Sequence, residues 1–185
     1  STDNSTSTTT TNNSTTTNTT ELEGTWITSC YLETDNSSYY IDTISVTGTD
    51  LSIKFESHED SSCNTDNGTA VATFNFLSIG DEVTFSSGAT GHKFTINLSS
   101  FTYTPETTSI VSSLNTESFC GYSDWELNSE KDITGKTCGS ITVPGANTTI
   151  LGLYKLVGNN LFLGNFNTTG SYPTTVSITK IYVKQ

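Results

Sequence analysis

"LSIKFE", residues 51–56, alternates apolar and polar side chains without a break: Leu51, Ile53 and Phe55 fall on one side, Ser52, Lys54 and Glu56 on the other. Successive side chains of a strand point to opposite faces, so a period of two describes a strand with one buried and one wet face. "KFTINL", residues 93–98, repeats the pattern with Phe94, Ile96 and Leu98. Further Thr-rich and β-branched segments read as strands near 24–31, 39–47, 69–78, 82–87, 108–115, 148–157, 160–167 and 174–184. Turn residues such as Gly48-Thr49-Asp50, Gly80-Asp81 and Gly158-Asn159-Asn160 separate them. No long helical period runs through the chain; the capping-box pattern Ser123-Asp124-Trp125-Glu126 predicts at most a turn or two of helix.

Before the first strand the composition changes abruptly. Residues 1–20 are written only in Ser, Thr, Asn and Asp. Such a segment has nothing to bury against the entropy of ordering itself, so we expect a disordered tether over 1–20 and one folded domain over 21–185. The remaining length, about 165 residues, suffices for a single core. Asn-x-Ser/Thr sequons at Asn4, Asn13, Asn18, Asn36, Asn67, Asn97, Asn147 and Asn167 arise freely in a chain of this composition and carry little weight.

The charge is one-sided: 19 acidic residues oppose 7 basic ones, for a net charge of −12, and every basic residue is lysine. The absence of arginine removes the bidentate fork that grips phosphate, and the negative surface repels nucleic acid and anionic lipid headgroups. Nucleic acid is therefore excluded as a partner. Cys30, Cys63, Cys120 and Cys138 form an even set with no Cys-x-x-Cys or zinc-like spacing, which predicts two disulfides and an oxidising compartment. The chain contains no methionine, as expected of a mature secreted protein whose leader was removed or of a trimmed chain.

Short connections make consecutive strands antiparallel neighbours, and a meander of this length closes into an up-and-down barrel of about 8–10 strands or folds into a β-sandwich. Gly24-Thr25-Trp26 on the first strand resembles the Gly-x-Trp of lipocalins. "LYKLVGNNLFLG" and "TVSITKIYVKQ" at the other terminus look like the closing hairpin and last strand of lipocalin-like bacterial domains. The resemblance implies a barrel whose floor is marked by Gly24 and Trp26, with Lys180 or Lys184 standing where the family places a basic partner for the tryptophan. The alternative is a core tryptophan of some other β-fold. The polar leader is similar to the tether that follows the lipidated cysteine of bacterial surface lipoproteins.

On that meander, strand directions bring Cys30 and Cys63 to one end, opposite Trp26, together with the 88–92 turn and the long 116–147 connection. Cys30–Cys63 and Cys120–Cys138 are then the expected bridges, one of the three pairings four cysteines allow. His58 and His92 are expected at this rim beside Glu59, Asp60 and Asp66, as surface residues and not as metal ligands. The acidic run lacks calcium-loop spacing, because Cys63 and Thr65 occupy positions that need oxygen donors. "TGKT" at 134–137 lacks the first glycine of a phosphate loop, Glu130 standing in its place, and no Gly-x-Ser-x-Gly elbow occurs. We therefore expect no enzyme and no cofactor.

Two functions remain. A lipocalin-like barrel would hold a small apolar ligand, with Phe55, Phe74 and Phe94 facing it and Tyr122 and Trp125 forming a lid. Inward candidates from the alternation also include Leu51, Ile53, Phe76, Ile96 and Leu98. Alternatively, the domain is a tethered surface module that binds protein or glycan through the disulfide-closed loop around Tyr122 and Trp125. Either function places the protein outside the cytoplasm, at a cell surface or secreted, with membrane association only through an N-terminal lipid anchor.

Overall fold

A computed structural model of the chain describes residues 20–33, 38–85 and 88–185. The expected tether lies outside these residues except for Thr20, as do the sequons at Asn4, Asn13, Asn18 and Asn36. In chain order the elements are β1 (Gly24–Thr28), β2 (Tyr31–Leu32), β3 (Tyr39–Thr47), β4 (Asp50–His58), β5 (Asp66–Thr84), β6 (Thr90–Pro105), α1 (Thr108–Thr116), β7 (Lys131–Asp132), β8 (Thr137–Cys138), β9 (Ile141–Thr142), β10 (Thr149–Val157), β11 (Asn160–Leu163) and β12 (Tyr182–Lys184).

Eight of these strands close on themselves. The neighbours run β1, β12, β11, β10, β6, β5, β4, β3 and back to β1, every pair antiparallel. Closure leaves no free edge, and alternation then sorts the side chains. Ile44, Val46, Leu51, Ile53, Ala72, Phe74, Phe94, Ile96, Leu98 and Ile150 point inward and are buried. The barrel expected from the meander, rather than a sandwich, is the fold.

The floor is built around Trp26. Its indole N–H donates to the Leu22 carbonyl at 2.8 Å, and Leu22 itself is buried beneath it. Lys184 pairs with Trp26 across the β1–β12 seam and sets its ammonium 5.0 Å from the ring centroid. Lys184, not Lys180, is thus the basic partner of the tryptophan, through a cation–π contact. Glu23 accepts the Gly48 N–H at 3.0 Å, which ties the floor to the β3–β4 turn.

Six expectations need correction. The strand expected over 82–87 is not a separate one in its described part: β5 continues through Gly80-Asp81 to Thr84 and absorbs the irregularity as register shifts at Thr73/Phe74, Asn75/Ser78 and Ile79/Glu82. Phe76 takes a left-handed φ of 56° at this bulge and is 68% exposed, not inward, while Leu77 drops into the core. The 88–92 turn consequently lies at the Trp26 end, and His92 sits at the floor, its ring 5.8 Å from that of Tyr154. Segment 108–115 is helix, not strand: the Thr107 hydroxyl caps it by accepting the Ile110 N–H, and Ile110 and Leu114 share one face. Residues 123–126 form no helical turn; the Asn115 side chain instead brackets Trp125 through both its N–H and its carbonyl. Of the strand expected over 174–184, only Tyr182–Lys184 pairs.

Residues 106–148 form a cap over the end opposite Trp26. The cap has its own small core of Leu114, Cys120, Trp125, Ile133, Cys138 and Val143, packed against Phe101 and Tyr103 of β6. Both expected disulfides form: Cys30–Cys63 beside the mouth and Cys120–Cys138 within the cap. Two such bridges are typical of proteins in an oxidising, extracytoplasmic environment. No helix among the described residues is long and apolar enough to cross a membrane.

Candidate functional site

The mouth of the barrel is not filled. Beneath the cap, Phe55, Phe74, Leu98, Phe101, Ile150 and Phe166 line a cavity of about 190 Å³ roofed by Pro144. Above it lies a second apolar space of about 430 Å³, between α1 and the raised wall of β5 and β6, lined by Tyr40, Ala70, Phe101, Tyr103, Ile110 and Val143 among others. Phe101 lines both chambers, and of two adjacent cap residues Pro144 lines the lower and Val143 the upper.

A third space of about 200 Å³ shares Ile53, Phe55 and Phe166 with the lower chamber, and its far wall is polar: Asn165, Ser177, Lys180 and Tyr182. Behind that wall Asp42 is 0% exposed. Alternation along β3 forces it there, since Asp42 shares the inward register of Ile44 and Val46. Taking a carboxylate out of water costs several kcal/mol unless donors surround it. Tyr31 and Tyr182 each donate a phenolic O–H at 3.0 Å, and the Lys180 ammonium forms an ion pair with it. The Asp42 N–H donates to the Thr28 hydroxyl at 2.9 Å. Lys180 is further held by aromatic faces, its nitrogen 4.6 Å from the centroid of Tyr31, 5.7 Å from Tyr182 and 6.0 Å from Phe55.

The tyrosines of this interior titrate abnormally. Burial first, then the Asp42 charge, holds Tyr31 and Tyr182 well above the ordinary phenol range, and burial with Glu21 does the same to Tyr154. Burial, followed by Tyr40 and Glu106, pushes Tyr103 up to about 12. With the folded value raised, the neutral phenols stabilise the fold fully below the unfolded pKa of about 10, and that contribution is lost as pH climbs through the folded values. Alkaline titration is therefore expected to ionise these four of the 8 tyrosines only in a step that coincides with unfolding. Tyrosinate absorbance followed beside circular dichroism checks this; smooth ionisation of every tyrosine in an intact fold would contradict it.

Of the residues singled out in the sequence, Phe55 and Phe74 line the lower chamber. Phe94 lies lower, packed edge-on to Phe166 and against Tyr154. Trp125 is only 2% exposed and forms the centre of the cap core, edge-on to both Tyr103 and Tyr122. Tyr122 is half-buried, with Lys131 and Lys136 at 4.9 and 4.7 Å from its ring. Gly24 and Trp26 stand at the floor. His58, at the mouth end of β4, is buried, with Nδ1 3.1 Å from the Asp66 carboxylate but out of hydrogen-bonding alignment. Sequence reasoning missed Phe101, Tyr103, Tyr40, Phe166 and the Asp42–Lys180 pair. The inward period of β3 carried a usable signal for Asp42.

Compared with known proteins, the chain matches no family model and no curated sequence.

Proposed function

We propose that this domain carries a small apolar ligand at the mouth of its barrel, beneath the disulfide-closed cap. The observation that carries the reading is the pair of adjacent apolar chambers that share Phe101 as a common wall, with Pro144 lining the lower and Val143 the upper. The upper chamber alone falls in the size range of ligand sites, a few hundred cubic ångströms. The lower exceeds a cavity of about 150 Å³ known to admit benzene in another protein. Its walls are aromatic and aliphatic, and the one buried carboxylate near them is already bound by two tyrosines and a lysine, which supports carriage and not catalysis. The competing role as an adhesive module draws less support, because Trp125 and Tyr122 are spent on the cap's own core.

The tether, and a lipid anchor preceding it, would hold such a carrier at a cell surface; Thr20 enters at the floor, hydrogen-bonded to Glu23, so a tether leaving there presents the mouth away from its attachment. Native mass spectrometry of protein purified from its source is expected to show a bound apolar molecule. Ala70→Trp, which fills the upper chamber, is expected to remove it while leaving the fold intact. Finding only apo protein, together with no uptake of an apolar fluorescent dye by the unmodified chain, would refute carriage.

A further inference from the structure

We infer that Lys180 selects the ligand by its head group, and that the group it accepts is a neutral oxygen (a ketone, ester or alcohol) and not a carboxylate. The inference rests on the carrier reading and gives it a chemical class.

An ammonium has three protons to donate. Among the described residues, Asp42 is the only oxygen partner of the Lys180 nitrogen; its other neighbours there are the faces of Tyr31, Tyr182 and Phe55. Donors are thus left over at a side chain that is 28% exposed and lines the ≈200 Å³ space. That space shares Ile53, Phe55 and Phe166 with the lower apolar chamber. A molecule whose apolar body lies in the lower chamber can therefore bring one end to Lys180.

Charge decides which end. Asp42 and Lys180 neutralise each other, and no second cation lines any of the three spaces. A carboxylate would leave one negative charge uncompensated beside a fully buried Asp42, in a chain already at −12. A neutral oxygen accepts the spare N–H without that penalty, and a charge-assisted hydrogen bond in a partly dehydrated site is stronger than one between neutral groups. A pure hydrocarbon of the same shape displaces water from the ammonium and returns nothing. The three rings hold the ammonium in place, so the preference is built into the wall and does not depend on a mobile side chain finding its partner.

The test uses one ring with three ends: acetophenone, ethylbenzene and benzoate, titrated at neutral pH into the full chain and followed by amide NMR. Acetophenone is expected to bind about tenfold or more tightly than either of the others, with shifts centred on Lys180, Phe55 and Phe166. Lys180→Met alone strands Asp42 and risks unfolding, so the informative variant is Lys180→Met combined with Asp42→Asn, which removes both charges. In it ethylbenzene binding should be unchanged and the acetophenone advantage lost. Benzoate binding as tightly as acetophenone, or an advantage that survives in the double variant, overturns the inference while leaving carriage standing. If none of the three perturbs the chamber residues, the carrier reading and the inference fall together.

Discussion

Lys180→Met is expected to destabilise the fold by about 3 kcal/mol, and adding Asp42→Asn to recover most of that loss. Breaking a buried ion pair by removing one partner costs about 3–5 kcal/mol because the other charge is left uncompensated, whereas replacing both is often neutral. The lower end applies here, because Lys180 is 28% exposed and water already shares its charge. Tyr31 and Tyr182 continue to donate to Asp42 in the single variant, which softens the effect without abolishing it. Urea unfolding of the wild type, both single variants and the double variant measures the coupling directly. Equal and additive losses in the two single variants would show that the pair is not a unit and that Asp42 is stabilised by the tyrosines alone.

Opening the cap bridge is the second large perturbation. Replacing Cys120 and Cys138 by serine removes a link between residues 18 apart, which on the chain-entropy model stabilises by about 3 kcal/mol. The cap depends on it more than the barrel does. Its core contains six buried residues, two of which are those cysteines, and its attachment to the barrel runs through Phe101, Tyr103 and the two-residue pairing of β7 with β6. The two tryptophans report separately, Trp26 from the floor and Trp125 from the cap, each with its indole N–H on a backbone carbonyl. In the double serine variant the Trp125 indole signal is expected to disappear at lower urea than that of Trp26, with ligand affinity falling in parallel. A single shared transition at the wild-type midpoint would mean that the cap is not held by its bridge.

The parts of this molecule that the sequence made legible are those where a local rule and the tertiary structure agree. Alternation placed Leu51, Ile53, Phe94 and Ile96 inward because each lies in an unbroken register with at least one neighbouring strand, and Leu98 continues that phase up to the shift. The disulfides followed from strand direction, and that count survived because 82–87 and 108–115 were both misread as separate strands: two errors leave the direction unchanged, and β6 returns the chain to the mouth end. The binding wall was harder to see. The register shift between Thr73 and Phe74 gives β6 an extra residue at Ser99, so Phe101 faces the mouth although it lies three residues from the inward Leu98. A period of two cannot find such a residue. Helix α1 was hidden by its β-branched content, yet Thr107 as cap and the Ile110–Leu114 spacing were both present in the sequence. Trp125 looked like a lid because an aromatic residue in a long loop is usually counted as surface; a cap of about forty residues needs a core of its own before it can cover anything.

The seam between β1 and β12 joins the first strand of the barrel to the last. Tyr182, which donates to Asp42 from 140 residues away, and Lys180 both arrive with the final turn of the chain. Until they arrive Asp42 has Tyr31 but no cation, and a carboxylate in that state is better left hydrated than enclosed. The residues that close the barrel and those that neutralise Asp42 therefore belong to one short segment, Lys180–Lys184, so a change that frees this segment opens the seam and strands the carboxylate together.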